Sequence, residues 1–390
     1  MPKIRLAIIK YGGLSAGGTE KFLQTIAVNL NKTEFDVTYF YCDSSPYIGS
    51  DFLHPDTDPA REQYLRKAGV NLVKFNVQAK NVLDKNHKWE GTDFWEKFKE
   101  QDFDLIQTGR AGHPEYPFNL INRKPIIDSI HLNAGVDNQS NIAKVMLLGE
   151  WSLREWKKNG GDSRKAIVIS HPIEPATSSI TSRVPSHGEE IVFGFHQRVS
   201  DEIFSEIPLN AFSELPKEKV LFRIMGGSVL YRKQALQLGL SNVEFIDFSS
   251  NPSEIEKFLN SLDVYAHGRK DGEINSTAIA EALRHGKPII SHRSSVNNGH
   301  IECIGQAGKV VNSVGEYTQE MKRIIENPEI LRASSLKSLE QFKSRYELTE
   351  QIRKISNIYK EVYIDGYSKT SRARNAKLLL FAKIRRILNY

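Results

Sequence analysis

The 390-residue chain has only two cysteines, Cys42 and Cys303, too far apart in sequence to suggest a disulfide framework or a thiolate metal cluster. So little cysteine fits a reducing compartment, and the expected location is the cytoplasm. No run approaches the roughly 18 continuous apolar residues that would span a bilayer. The opening stretch MPKIRLAIIKYGG holds a short apolar run that stops at Lys10 and lacks a signal-peptide cleavage pattern. After Gly12, Gly13, Gly17 and Gly18 no lysine stands where a phosphate-binding P-loop needs one, and GGLSAGG does not supply a dinucleotide fingerprint. No His/Cys cluster has metal-ligand spacing, and no G-x-S-x-G nucleophile elbow occurs. Acid is missing from one segment in particular. Residues 368–390 contain Lys369, Arg372, Arg374, Lys377, Lys383, Arg385 and Arg386 without an Asp or Glu. Those seven cations against a net charge of +6 leave residues 1–367 at −1. The basic pI of 9.0 therefore belongs to the tail, and no nucleic-acid partner is expected.

What is present is an ordinary globular composition, 39% apolar and 26% charged, at a length that suggests two domains. IRLAIIKYGG reads as a buried strand entering a glycine turn, GGTEKFLQTIAVNLNK as an amphipathic helix and FDVTYFYC as a returning strand. A β-α-β unit of this kind implies a parallel sheet. Further strands are expected at VNLVKFNV, DLIQTG, PIIDSIHL, KVMLLG and KAIVIS, with a helix over TDFWEKFKEQ. Residues 171–190, with three prolines and a group of Ser and Thr, read as a linker. The rhythm then restarts with IVFGFHQR, LFRIMGG, NVEFIDFS, DVYAHGR, KPIISH and KVVNS as strands. PSEIEKFLNSL, STAIAEALRHG and EYTQEMKRIIEN are the expected helices, and a long helical stretch covers roughly 347–364. The expected fold class is therefore α/β, with two doubly wound parallel-sheet domains over 1–170 and 191–346. The C-terminal helices, 347–390, are expected to pack back on the first domain.

Ligands of such sheets bind outside the carboxyl ends of the strands. Between DVYAHGR and its following helix lies RKDGEIN, with Ser276 placed to cap a helix that begins at Thr277. Free backbone N–H groups around Thr277 and Ala278 would favour an anion such as a phosphate. Glu273 precedes that helix and Glu281 sits one turn inside it, so acceptors flank the anion on both sides. A nucleotide-diphosphate sugar has this shape. The plain alternative is a solvated loop acid and a surface helix acid.

The stretch 271–291 resembles the E-x7-E region of family 4 glycosyltransferases, enzymes of the GT-B fold with two Rossmann-like domains facing each other across a cleft. Glu273, Glu281, Ala282, Gly286, Pro288, Ile289 and Ile290 fall in register with that motif. GGTEKFLQTIAVNL (17–30), IIDSIHL (126–132), RKAIVISHPIEP (164–175) and GFHQR (194–198) resemble its other motifs, in the same order.

The resemblance implies a hexosyltransferase that retains anomeric configuration and needs no metal or other cofactor. Glu273 would accept from the donor sugar and Glu281 from the ribose. Arg198, with the amides near Ser276, Thr277 and Ala278, would neutralise the diphosphate. His131 would sit beside the anomeric region, and Gly17 and Gly18 would allow close backbone approach. GDP-mannose is the first expected donor and a UDP-hexose the second, with a glycan, lipid or protein-glycan as acceptor. Three departures stand out. Ile203 occupies the place of a second diphosphate cation, for which Arg269 or Lys270 could substitute. Ser276 replaces a glycine, and His171-Pro172 replaces the hinge Asn-Gly. A binding protein without turnover and a sugar-nucleotide epimerase are the alternatives.

Asp56-Thr57-Asp58 and Asp102-Phe103-Asp104 are the two D-x-D pairs, and neither is expected to hold metal. In the tail, Leu378, Phe381, Ile384 and Leu388 lie near one helical face flanked by cations. That face suits packing on the first domain or peripheral contact with an anionic membrane, and the two are compatible.

Overall fold

The parallel-sheet rhythm is seen twice in the computed structural model, which describes residues 2–15, 17–42, 57–76, 92–110, 121, 123–132, 135–136, 138–177, 185–186 and 188–366. Asp56 and the basic tail 368–390 lie outside the described residues. Two compact units result. The first takes residues up to 147, 156–169 and from 352 onward, and the second takes 148–155 and 170–351. Cys42 and Cys303 are both buried and are not joined in a disulfide.

The strands of the first unit are β1 (Ile4–Ile9), β2 (Phe35–Cys42), β3 (Asn71–Phe75), β4 (Leu105–Arg110), β5 (Ile126–Ile130), β6 (Ile142–Leu147) and β7 (Ala166–Val168). Among them run α1 (Gly18–Asn29), α2 (Pro59–Lys67) and α3 (Phe94–Lys97), and α4 (Glu150–Lys158) is divided, its residues 150–155 counted with the second unit. The seven strands are parallel in the order β3-β2-β1-β4-β5-β6-β7. Leu6, Ala7, Ile8 and Ile9 are all inaccessible, which explains why this strand reads as an unbroken apolar run instead of an alternating one.

The second unit has β8 (Ile191–Gln197), β9 (Val220–Gly226), β10 (Val243–Ile246), β11 (Val264–Ala266), β12 (Ile289–His292) and β13 (Gly308–Val311). Its helices are α5 (Ile207–Ser213), α6 (Val229–Gln237), α7 (Pro252–Asn260), α8 (Thr277–Arg284), α9 (His300–Ile304), α10 (Val314–Glu326) and α11 (Ile330–Tyr346). The six strands are again parallel, in the order β10-β9-β8-β11-β12-β13. In both sheets the chain builds outward from its first strand, then returns to add strands on the other side. The reversal falls between β1 and β4 in one and between β8 and β11 in the other.

Three local expectations change. The helix expected over TDFWEKFKEQ shrinks to α3 and a 3-10 turn over Glu100–Asp102. Its Phe94 and Phe98, joined by Phe103 from beyond the stretch, instead form a cluster with β2, where Phe40 meets all three edge-on at 5.5–5.7 Å. Residues 171–177 of the expected linker are fastened to the second unit. The Ile173 N–H donates to the Tyr346 carbonyl (2.9 Å), and the Thr177 hydroxyl donates to Glu256 (2.7 Å). Helix α11 has no counterpart in the sequence reading. Its buried face includes Ser335 and Ser338, so the apolar period that marks a helix is interrupted. The serines have a packing reason: a Cβ on Gly286 would stand 2.6 Å from the Ser335 hydroxyl, and Ser338 donates to the Lys287 carbonyl at 3.0 Å.

Residues 348–366 are helical, and those from 352 onward belong to the first unit. Tyr359 is inaccessible and donates its hydroxyl to Gln107 Oε1 at 2.8 Å, while Lys360 meets Glu34 at 2.6 Å. The Tyr359 bond is buried at both ends, so Tyr359→Phe strands an amide oxygen away from water. The expected cost is about 1–3 kcal/mol, read as a lower urea midpoint with unchanged slope. An unchanged midpoint would show that the bond contributes nothing.

Candidate functional site

A doubly wound sheet opens a crevice at the carboxyl ends of its strands where strand order reverses, because the two flanking connections leave toward opposite faces. In the second unit that point lies between β8 and β11. His196 is the last residue but one of β8, His267 follows β11 directly, and Ser291 and His292 end β12. The loop from His267 to Ser276 then delivers the chain to α8. Gly272 turns this loop at φ +58°, and a Cβ there would lie 1.9 Å from the Asn297 carbonyl oxygen. The loop is pinned from its far side as Asn297 N–H donates to Asp271 O (3.1 Å) and His300 N–H to Glu273 O (2.9 Å).

Glu273 thus enters the site on a fixed backbone. Its Oε2 accepts from His267 Nε2 at 2.9 Å, and its Oε1 lies 3.2 Å from Arg269 Nη1. Burial alone would raise this carboxyl. The Arg269 charge and the His267 hydrogen bond outweigh it and hold the group at about 2, so Glu273 is an ionised acceptor at neutral pH. Arg269 also pairs with Asp271 through two contacts, at 3.0 and 2.7 Å. On the other side, His267 Nδ1 lies 2.8 Å from the Ser291 hydroxyl. Serine, imidazole and carboxylate follow one another as in a hydrolase, but Ser291 is inaccessible, and the hydroxyl serves to orient the ring.

Glu281 is placed one turn into α8, and its Oε2 lies 2.9 Å from His196 Nε2. The helix start between the two carboxylates is formed as the sequence suggests. Ser276 caps it, its hydroxyl oxygen accepting from the Ile279 N–H at 3.1 Å. That leaves the N–H groups of Thr277 and Ala278, both half-buried, without a hydrogen-bond acceptor among the described residues. Donors at a helix start between two acids suit an anion that carries hydroxyl groups on either side.

Arg198 follows β8 at the same end of the sheet. Its side chain is 59% exposed and lies 3.8 Å from Glu202, too loose a pair to hold it. Ile203 is 1% exposed and packs into the core, so its position supplies no cation. Of the two substitutes, Arg269 is already shared between Asp271 and Glu273. Lys270 is exposed, and its backbone N–H donates to the Ile203 carbonyl at 3.2 Å.

The remaining candidates belong to the first unit. Gly17 caps α1 in an extended conformation and Gly18 begins the helix, and neither has positive φ. In this stretch Gly12, at φ +132°, holds the conformation that favours glycine. His131 follows β5, is 7% exposed, and meets Phe22 of α1 edge-on at 4.9 Å. Ser129 gives its hydroxyl hydrogen to the Thr108 carbonyl (2.9 Å), so the contact with His131 at 3.1 Å has Nε2–H as donor. Asp102 and Asp104 precede β4 and so lie at the amino end of the sheet, with Asp104 bonded to Arg5 at 3.0 and 3.2 Å. Asp58 caps α2, accepting from the Ala60 N–H at 2.8 Å.

Sequence reasoning missed His196, His267 and Ser291, although the first lies inside the quoted GFHQR and the second inside DVYAHGR. Both histidines end runs that already read as buried strands, and a strand-end histidine has no periodic signature.

Residues 181–344 match the family model described as glycosyl transferases group 1. No curated protein matches the chain significantly by sequence. Among solved structures, HepE of Anabaena, in complex with UDP and glucose, is similar with a TM-score of 0.66 and 16% identity, over 91% of this chain and 99% of its own. A glycosyltransferase from Rickettsia africae gives 0.70 and 15%, over 93% and 99%. Sucrose-phosphate synthase from Thermosynechococcus elongatus gives 0.68 and 13%, over 93% and 100%. At these identities the likeness establishes the fold. It is the GT-B fold, two Rossmann-like parallel-sheet domains.

The Glu273 carboxyl, ordinarily at 4.5, is held at about 2, so it stabilises the folded state above its ordinary value. That contribution is lost as pH falls from 4.5 through about 2 and is on the order of 3 kcal/mol. Glu273→Gln is therefore expected to lower the melting temperature at pH 7 and to flatten its fall in acid. An acid limb as steep in the variant as in the wild type would place its origin elsewhere.

Proposed function

We propose that this chain is a glycosyltransferase that moves a hexose from a nucleotide-diphosphate sugar to an acceptor hydroxyl with retention of configuration. One observation carries the reading: two acidic side chains flank the capped, acceptor-free start of α8 at the reversal point of a parallel sheet. The leaving diphosphate would lie on the N–H groups of Thr277 and Ala278, with Arg198 swinging in as the mobile cation. Glu281 would accept from the ribose and Glu273 from the hexose. An ionised Glu273 cannot act as a general acid at neutral pH, but it favours positive charge developing at the sugar carbon. The family-model match over the second unit supports the same assignment. His131 and the Gly17–Gly18 turn, carried by the first unit, would serve the reacting sugar and the acceptor.

A UDP-hexose is the first donor to test, because the similar HepE structures hold UDP and UDP-glucose. GDP-mannose is the second. The core position of Ile203 favours a rival reading, a sugar-nucleotide-binding protein without turnover. Calorimetric titration with both nucleotide sugars, followed by an assay for nucleoside diphosphate released to an acceptor, separates the two. Binding without release would support the rival.

Glu281→Ala is expected to weaken donor binding by roughly 1–3 kcal/mol, and unchanged affinity would remove Glu281 from the site. Arg198→Ala should lower turnover by a larger factor than affinity. Lost affinity with unchanged turnover would assign Arg198 to ground-state binding alone.

A further inference from the structure

Each of the two acceptor carboxylates is backed by a buried histidine, and a buried hydroxyl stands behind each histidine, bonded to the ring of His267 and to the backbone carbonyl of His196. His196 Nε2 lies 2.9 Å from Glu281 Oε2, and His267 Nε2 lies 2.9 Å from Glu273 Oε2. A carboxylate only accepts, so Nε2 of each ring carries the hydrogen. Behind His267, Nδ1 lies 2.8 Å from the Ser291 hydroxyl. Behind His196, Nδ1 lies 3.3 Å from the Tyr265 oxygen, and the Tyr265 hydroxyl donates to the His196 carbonyl at 3.0 Å. The histidine side chains are 11% and 1% exposed, against 16% and 13% for their glutamates. The acids therefore form the outer layer and the rings the inner one. The two rings also stand on neighbouring strands, either side of the reversal point. Tyr265 lies between them, its ring centroid 5.7 Å from His196 and 6.4 Å from His267. Burial raises the Tyr265 hydroxyl well above its ordinary value, so it remains a donor throughout the working pH range.

We infer that His196 and His267 are paired positioning residues that divide the donor between them, His196 holding Glu281 for the nucleoside and His267 holding Glu273 for the hexose. This rests on the donor-site reading above. A glutamate has three rotatable bonds, and each must be fixed before its oxygens can meet two hydroxyls of a sugar or ribose. A ring locked behind the carboxylate fixes them before the ligand arrives. Neither histidine touches the donor in this arrangement. Their effect is exerted through the acids, and it is separable because the acids lie at different ends of the ligand.

The test is titration calorimetry with UDP and UDP-glucose, or with GDP and GDP-mannose if wild-type protein binds only that pair. His196→Leu is expected to weaken the diphosphate and its sugar conjugate by the same factor, about tenfold. His267→Leu is expected to leave the diphosphate within about twofold and to weaken only the conjugate, by about tenfold. The Gln variants keep an N–H near the place of Nε2 and should recover most of each loss. If a Leu variant does not fold, Tyr265→Phe stands in for the first and Ser291→Ala for the second, with the same division expected. A merely structural role would weaken both ligands alike at both positions, and that result overturns the inference, as does no change in either ligand. Should wild-type protein bind neither pair, the donor-site reading fails and takes the inference with it. If wild-type protein binds and Glu281→Ala weakens binding while the histidine variants do not, the reading stands and only the histidine pair is lost.

Discussion

A carboxylate buried beside a strand end would normally bind a proton, because losing water penalises its charge more than anything nearby restores. Glu273 keeps its charge because Arg269 and His267 both reach it. Arg269 is itself held by Asp271, and His267 by Ser291. The result is a closed set of polar groups in which each member has its partner, the condition under which buried polarity is tolerated. Remove the charge on Glu273 and the set loses its centre. The Gly272 turn serves this arrangement too, since only a residue without a side chain lets the loop lie against the Asn297 carbonyl.

Topology explains why such a set can face a ligand at all. Parallel strands put all their carboxyl ends on one edge, and order reversal keeps the two central connections from covering that edge. The same construction occurs in both units, but the polar contents differ. In the first unit, between β4 and β5 and one strand from the reversal point, Asp128 is inaccessible and bound by Thr108 and Arg110 at 2.8 and 2.7 Å. At the reversal point of the second, the carboxylates of Glu273 and Glu281 retain some exposure next to unsatisfied backbone donors. On the proposed reading, the edge of the second unit would receive an anion with hydroxyls around it.

The helix at Thr277–Arg284 connects this edge to the chain that enters the second unit. Its last residue, Arg284, donates to the Glu174 carbonyl at 2.9 Å and lies 3.4 Å from Glu256, which also holds Thr177. Stretch 171–177 looks like a linker by composition, yet these bonds make it part of the packed unit. Proline and small polar residues describe the absence of a periodic face, and they leave open whether the backbone will find partners elsewhere.

Local chemistry in the sequence sufficed for whatever depends on near neighbours: the strand–helix alternation, the Ser276 cap three residues before the N–H it satisfies, and the one-turn offset that puts Glu281 beyond the helix start. Those follow from backbone geometry with fixed periods, so spacing alone carries them. Tertiary structure decided what depends on distant partners. His196 and Glu281 are 85 positions apart and meet only because β8 and the α8 connection share one sheet edge. Ile203 became core because the turn after β8 folds inward. Contacts of that kind are set by strand order and register, which no single stretch of chain contains.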